Sequence, residues 1–169
     1  MAIWQGKRSL EVLTLTLQGE KFALDASRVQ EILDLVNVTD VPGGPAFLNG
    51  LVNVRGKVVP LADLRLKFGM EQTPSTIDTR IIVIEIDLDG VPTTVGILAD
   101  KVYEVTEVAA AALEETPRIG MRWRPEFIRY IGKRGTDFIV VLDIERIFSI
   151  PAQDEQFAVV GAVPERLAS

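Results

Sequence analysis

Alternating apolar and polar residues recur in short runs along the chain. Residues 13–17 alternate Leu with Thr, and residues 82–88 place Ile or Leu at every second position. A period of two is the pattern of a β-strand that buries one face. Glycine-centred turn signals separate such runs at Gln18-Gly19-Glu20, Arg55-Gly56-Lys57 and Asp89-Gly90. Short strands with closely spaced turns predict an all-β protein, either a barrel or a sandwich.

Helix signals are few and short. Asp63 could cap one turn of helix that carries Leu64 and ends near Gly69. Asp143 could do the same before Ile144. The predicted helical content is therefore small beside the strands.

The second half of the chain repeats the first, with the motifs in the same order. Residues 26–32, 45–47 and 59–64 recur as residues 99–105, 125–127 and 139–144, and Arg55-Gly56 recurs as Arg134-Gly135. A chain of 169 residues is long enough for one domain or for two small subdomains that share a core. The repeat predicts two related β-barrels, at about residues 10–80 and 81–150, with tails at residues 1–9 and 151–169.

Two residue types are missing, and their absence narrows the possible chemistry. The chain has no Cys and no His, which excludes disulfides, thiolate nucleophiles, His-dependent acid–base catalysis and the usual zinc ligand sets. Its neighbouring carboxylates have neither the spacing of a calcium loop nor a partner that would separate their pKa values. We therefore predict no catalytic residue, no metal and no cofactor.

The charge of the chain disfavours nucleic acid and anionic membranes as partners. Lys and Arg number 18 against 24 Asp and Glu, giving a net charge of −6 whose field repels polyanions. No apolar run reaches the roughly 18 residues of a membrane span. The basic residues near the N-terminus are not followed by the apolar core of a secretory signal. The expected compartment is the cytosol, without direct insertion into a membrane.

Three segments are candidates for binding. Arg55 at a hairpin tip could present a rigid cation to an acidic partner, although a solvated turn is the commoner reason for such a residue. If Ile32 lies in the core, Val29 and Glu31 point outward together and form a small contact patch with a charged rim. Residues 117–124 interleave Arg with Ile, Met and Trp, which in so acidic a chain favours a half-buried edge segment over base stacking, with a protein-binding edge as the functional alternative.

A family resemblance rests on three of these segments. Residues 53–65, NVRGKVVPLADLR, resemble the N-L-R-G-x-V-I-P-x-x-D-L-R signature of the CheW family of chemotaxis coupling proteins. Residues 29–32, VQEI, and residues 99–105, ADKVYEV, resemble two further segments of that family. The likeness runs from about Leu10 to Ile150.

The resemblance implies a fold as well as a family. It implies one domain over residues 10–150, built from two SH3-like, five-stranded β-barrels with a few short helices. Val54 stands where the signature has Leu, and the tail after Pro151 matches no motif of the family.

The resemblance also implies a role. It implies a non-enzymatic adaptor that couples methyl-accepting chemotaxis receptors to the regulatory domain of the histidine kinase CheA, in cytoplasmic arrays at the inner membrane. Receptor contacts are implied at Val29, Glu31, Gly50 and Arg55, and we expect one kinase contact in the loop around Ile119. The alternative is a double-barrel module that binds nucleic acid or a small ligand through basic hairpins, with Arg55, Lys57, Arg122, Trp123 and Arg124.

Overall fold

The computed structural model describes residues 9–43, 45–48, 50–114 and 124–149. In this part of the chain, the first half forms β1 (Ser9–Leu17), β2 (Glu20–Asp25), β3 (Val29–Asp34), β4 (Thr39–Asp40), β5 (Gly50–Val54), β6 (Lys57–Ala62) and the helix α1 (Leu64–Lys67). The second half forms β7 (Arg80–Leu88), β8 (Val91–Ala99), β9 (Lys101–Ala109), β10 (Leu113–Glu114), β11 (Ile128–Arg134), β12 (Asp137–Leu142) and the helix α2 (Ile144–Ser149). Short 3₁₀ turns lie at Ala26–Arg28, Ala46–Leu48, Ala110–Ala112 and Pro125–Phe127. The predicted all-β class with a few short helices is confirmed.

The strands form two six-stranded sheets with equivalent internal order. The first sheet runs β10-β11-β12-β2-β1-β9, and the second runs β4-β5-β6-β8-β7-β3. In each sheet one strand, β10 or β4, has only two residues, which leaves the five longer strands expected of each subdomain. Strands that correspond in the two repeats, such as β1 and β7, occupy corresponding positions in the two sheets.

Each repeat contributes its N-terminal hairpin to the sheet of the other repeat. The hairpin β1–β2 lies in the sheet that contains β9 to β12, and the hairpin β7–β8 lies in the sheet that contains β3 to β6. The two sheets therefore do not correspond to residues 10–80 and 81–150, because the chain crosses between them after β2 and again after β8. One sheet takes its strands from a continuous stretch of chain, and the other combines the first hairpin with the last four strands.

The exchanged hairpins bury their alternating apolar residues in one core between the sheets. The leucines of β1, the isoleucines of β7 and apolar residues of β2 and β8 belong to this shared core and are at most 3% exposed: Leu13, Leu15, Leu17, Phe22, Leu24, Ile82, Ile84, Ile86, Val95 and Ile97. Burial of each such side chain stabilises the fold by about 1.5–3 kcal/mol. The alternation predicted for residues 13–17 and 82–88 is confirmed, and its buried face is the surface that joins the sheets.

Each sheet also has a smaller core of its own. The opposite faces of β1 and β7 supply residues to these inner cores, which are Leu10, Val12, Ala23, Val108, Tyr130, Ile139 and Val141 in the first sheet and Val52, Val54, Val59, Leu61, Ile81 and Val83 in the second. The strands β1 and β7 thus bury both faces, as central strands do when both sides are covered.

Both helices begin at the predicted aspartates. Asp63 Oδ1 accepts a hydrogen bond from the N–H of Arg65 at 3.1 Å, and Asp143 Oδ1 accepts one from the N–H of Arg146 at 3.3 Å. Gly69, with a φ of 76°, follows α1 as expected at a helix stop.

Leu15→Ala should lower the free energy of unfolding by about 2–5 kcal/mol, because it opens a cavity in the core shared by both sheets. Val58→Ala is the control, since Val58 is a strand residue that is 73% exposed; it should change stability by less than about 0.5 kcal/mol. Urea unfolding followed by circular dichroism measures both values. Equal stability of the two variants would contradict the placement of Leu15.

Candidate functional site

The β5–β6 hairpin holds Arg55 in a defined conformation. Arg55 and Gly56 form a two-residue turn with φ values of 54° and 85°, the geometry of a type I′ hairpin. The side chain of Asn53 closes this turn, because its Oδ1 accepts a hydrogen bond from the N–H of Gly56 at 2.8 Å. A left-handed backbone is uncommon for arginine, so Asn53 and Gly56 impose a conformation that Arg55 alone would rarely adopt.

The Arg55 side chain reaches the edge strand β3 and binds Glu31 there. Arg55 Nη2 donates to Glu31 Oε1 at 3.0 Å, and Nε donates to Oε2 at 3.1 Å, which is a bidentate arginine–carboxylate pair. The hydrogen bonds from Arg55 hold the pKa of Glu31 below its usual value. The Arg55 side chain is 80% exposed and that of Glu31 is 23% exposed. Because water screens such a pair, it orients Arg55 more than it stabilises the fold.

Exposure alternates along β3, but in the opposite sense to the one expected: Val29, Glu31 and Leu33 are partly buried, whereas Gln30, Ile32 and Asp34 are exposed. A register shift between Val29 and Glu31 in the pairing with β7 leaves Gln30 as an extra residue, the arrangement of a β-bulge. Val29 packs against the shared core, whereas Ile32 is 42% exposed. The expectation that Ile32 lies in the core was wrong, because β3 is an edge strand and this position stays exposed at the side of the sheet.

Gly50 is buried at the start of β5, beneath Val38. A Cβ atom added to Gly50 would lie 2.7 Å from Val38 Cγ1, closer than two carbon atoms can approach. A larger residue here would therefore force the exposed Val38 side chain, just before β4, to shift. Gly50 thus has an indirect role, in which it leaves room for Val38 beside β5.

The structure brings Glu31 and Arg55 into direct contact, with Val29 two residues before Glu31 on the same edge strand. We call these three residues the β3-edge site. Gly50 lies on the same sheet but underneath its surface. Ile119, the residue expected to contact the kinase, lies outside the described residues.

Two features near this site were missed in the sequence. Gln30, the extra residue of the bulge, donates from Nε2 to Glu85 Oε1 at 3.2 Å and so fixes the polar outer side of β3. Val58, on the hairpin that carries Arg55, is largely exposed, as is Phe138 at the equivalent place in the second repeat. The repeat was the available signal, because an apolar residue recurs at this hairpin position in both halves.

The C-terminal end of the signature motif, at Asp63 and Arg65, stabilises the fold. Arg65 is buried, and its guanidinium binds Asp63 Oδ2 at 2.8 Å, Asp100 Oδ1 at 3.1 Å and the carbonyl oxygen of Thr73 at 3.2 Å. Asp100 Oδ2 in turn accepts a hydrogen bond from the N–H of Gln18 at 2.6 Å. We call Asp63, Arg65, Asp100 and Gln18 the Arg65 cluster. It connects α1, the crossing from β8 to β9 and the turn of the β1–β2 hairpin.

The concave spaces among the described residues are small or widely open. A cavity of about 20 Å³ lies where the two sheets meet, with Arg28, Arg129 and Glu145 among its lining, and it has room for about one water molecule. A broad depression beside Tyr103 and Phe138 is open to solvent.

The described residues include no group of three or more acidic, His or Cys side chains that could hold a metal ion. None of their helices is long and apolar enough to cross a membrane.

In the part of the chain that the structure describes, the candidate binding features are exposed surfaces, since the concave spaces are small or widely open. Two equivalent β-sheets share one core, and the edge of one of them presents a fixed ion pair next to an apolar residue. This arrangement defines a β protein of the binding or scaffolding class.

Comparison with known proteins identifies the family within this class. The model of the CheW-like domain matches residues 11–152. The chemotaxis protein CheW of Klebsiella aerogenes is 31% identical over 153 residues, which cover 90% of this chain and 87% of the relative. A probable chemotaxis protein CheW of Rhizobium etli is 29% identical over 86% of this chain and 90% of its own length. The chain belongs to the CheW-like family, as the signature motif predicted.

A solved structure supports the same assignment. The crystal structure of the scaffolding protein TtCheW from Thermoanaerobacter tengcongensis has a TM-score of 0.75 and 26% identity, covering 85% of this chain and 90% of that chain. The prediction of two SH3-like subdomains is confirmed by this likeness.

Asp63→Asn should destabilise the protein by about 2 kcal/mol at neutral pH, because Arg65 would lose a buried charged partner. Burial by itself raises the pKa of Asp63, but hydrogen bonds from Arg65 and Gln72 outweigh it and hold the pKa below its usual value. A depressed pKa gives stability above the pKa of the unfolded chain, about 3.9 for Asp, and this stability is lost as the pH falls further. The difference between parent and variant should therefore be constant from about pH 5 to 7 and narrow below about pH 4.

Urea unfolding at a series of pH values measures this difference. Asp78→Asn, in the loop before β7, is a control for removal of a carboxylate that is exposed. A difference between parent and Asp63→Asn that stayed constant to pH 2 would show that Asp63 is not the group involved.

Proposed function

We propose that this protein is a non-enzymatic adaptor that couples methyl-accepting chemotaxis receptors to the histidine kinase CheA, in arrays on the cytoplasmic side of the inner membrane. The observation that carries the proposal is the β3-edge site in a chain of the CheW-like family. There Arg55 is held in one orientation by the hairpin and by Glu31, yet remains largely exposed. An oriented and exposed arginine is suited to recognition of a carboxylate on a partner.

The receptor contact combines apolar and charged parts. Val29 and the exposed Ile32 give β3 an apolar component, and Arg55 with Glu31 gives it a charge pair of defined direction. A receptor tip made of helices would place apolar side chains along β3 and an acidic side chain near Arg55. Gly50 supports the contact indirectly, because it leaves room for the Val38 side chain beside β5.

The kinase would bind a different surface. Tyr103, Val105 and Phe138 of the first sheet are exposed apolar residues, and Tyr103 and Phe138 line the same open depression. These side chains support a second contact, on a different sheet from the β3-edge site. Ile119, which lies outside the described residues, stays a predicted kinase contact. One molecule would then bind receptor and kinase together.

The structure gives less support to binding of nucleic acid or a small ligand. Of the residues on which such binding would depend, Arg124 lies 3.6 Å from a carboxylate oxygen of Glu126, and Arg122 and Trp123 lie outside the described residues. The net charge of −6 also opposes a polyanion.

Arg55→Asp should weaken binding of a receptor signalling tip about tenfold or more, because it removes an oriented cation and places two acids side by side. Lys57→Asp is the matched control, since it makes the same change in charge on the same hairpin. Titration calorimetry with the receptor tip and with the kinase regulatory domain measures both partners. Binding of the kinase domain should be unchanged, and equal weakening by Arg55→Asp and Lys57→Asp would count against a specific role for Arg55.

Asn53→Ala should weaken receptor binding by a smaller factor, about threefold to tenfold, since it frees the turn that orients Arg55 but leaves the charge in place. Lys57→Ala is its control on the neighbouring strand. The same calorimetric titration applies. Undiminished receptor binding by Asn53→Ala would show that the orientation of Arg55 is not limiting.

A further inference from the structure

The β9 edge of the first sheet is the counterpart, in the other repeat, of the β3 edge of the second sheet. Val29 of β3 and Val102 of β9 are equivalent in the repeat, and both pack against the shared core. A bulge follows each of them: Gln30 is an extra residue in β3, and Tyr103 and Glu104 of β9 lie opposite a single residue of β1. The two edges therefore have similar backbones, and their side chains decide what each can bind.

A buried hydroxyl fixes the bulge of β9. The residue of β1 opposite the bulge is Thr14, whose Oγ1 donates a hydrogen bond to the carbonyl oxygen of Glu104 at 3.2 Å and accepts one from the N–H of Glu104 at 3.4 Å. Thr14 thereby replaces the strand pairing that the bulge interrupts. Tyr103, the other residue of the bulge, has an exposed side chain.

Two lysines lie against the ring of Tyr103. Thr16 of β1 pairs with Lys21 of β2 on one side and with Lys101 of β9 on the other. The neighbours of Thr16 in β1 belong to the shared core, so this row lies on the opposite face of the sheet. The Nζ atoms of Lys21 and Lys101 lie 4.8 Å and 5.3 Å from the centre of the Tyr103 ring, within the range of cation–π contacts. We call Lys21, Tyr103 and Lys101 the Lys-Tyr-Lys group.

The two lysines of this group have no carboxylate partner among the described residues. Glu104 and Asp137 line the same depression, but no ion pair joins either of them to Lys21 or Lys101. Most of the other described cations do form ion pairs with carboxylates: Arg28, Arg55, Arg65, Arg80, Arg124, Arg129 and Lys133. The Lys-Tyr-Lys group is thus a local concentration of positive charge that an otherwise acidic chain leaves unneutralised.

The β3 edge does not offer the same chemistry. In the repeat, Gln30 stands at the place of Tyr103, and Arg28 stands at the place of Lys101. Gln30 is uncharged, and the guanidinium of Arg28 is paired with Glu145. The two edges thus present different side chains on equivalent strands, which allows one molecule to distinguish two partners.

We propose that the Lys-Tyr-Lys group is the binding site for an apolar segment of the kinase that carries an acidic side chain. The carboxylate would lie beside both ammonium groups, and the apolar side chains would cover Tyr103 and Phe138, which line one depression. Charge complementarity supports this choice, because an acidic segment neutralises two lysines that the chain leaves unpaired. The inference rests on the proposed function, which takes the kinase as the partner of this face.

Lys21→Gln with Lys101→Gln in the full chain should weaken binding of the kinase regulatory domain about tenfold, because both ammonium groups are removed. Titration calorimetry at low and at high salt should also show a smaller salt dependence than in the parent, since salt screens attraction between exposed charges. Lys21→Gln alone should weaken binding about threefold. Lys57→Gln is its matched control, which makes the same change in charge on another hairpin and should leave kinase binding unchanged.

Binding of the receptor tip should be unchanged in all of these variants, and circular dichroism checks that each is folded. If the double variant is unfolded, Lys21→Gln is compared with Lys57→Gln instead. Kinase binding by the lysine variants that equals that of the parent at both salt concentrations would overturn the proposal.

Tyr103→Ala separates the location of the kinase contact from its charge, and it should also weaken kinase binding. If Tyr103→Ala weakens binding but the lysine variants do not, the kinase uses this face without the lysines, so the inference fails and the proposed function stands. If neither change weakens binding, the kinase binds elsewhere, which overturns the inference as well. A parent chain that binds no kinase domain would instead contradict the proposed function itself.

Discussion

The burial of two hairpins against each other is the interaction on which this structure depends. Neither sheet has a large core of its own, and most of the fully buried leucines and isoleucines lie between the sheets. These side chains come from the hairpins that each repeat gives to the other, so separation of the sheets would expose the main source of hydrophobic stabilisation. The two subdomains are therefore one folding unit, although each looks like a small barrel.

The signature motif of the family has two roles: its C-terminal end stabilises the fold, and its N-terminal end presents an exposed side chain. Asp63 and Arg65 are tied into a cluster with Asp100 that joins segments of both sheets. Ten residues before Arg65, Arg55 is exposed at the tip of a hairpin and contributes little to stability. A single continuous motif thus combines a structural requirement with a recognition requirement, because the strand β6 connects the hairpin tip directly to the helix α1.

The candidate site could be predicted in part from local sequence. The Arg-Gly pair predicted a tight turn, and that turn presents Arg55 as expected. The exposure of Ile32 could not be predicted, because it follows from the place of β3 at the edge of its sheet. The extra residue Gln30 was hidden as well, since a bulge has no clear signature in a short edge strand. The role of Gly50 could not be predicted either, since Val38 comes close to that position only in the folded chain.

Local sequence patterns were enough to predict the period-two strands, the glycine turns, the aspartate caps, the repeat and the family. These depend on residues that are neighbours in the chain, so they can be recognised without knowledge of the fold. That the repeats exchange their hairpins became visible only in the folded structure. An alternating strand specifies which face it buries but not which strand lies beside it. Contacts between the exchanged segments, such as that of Arg65 with Asp100, join residues that are distant in sequence and meet only after folding.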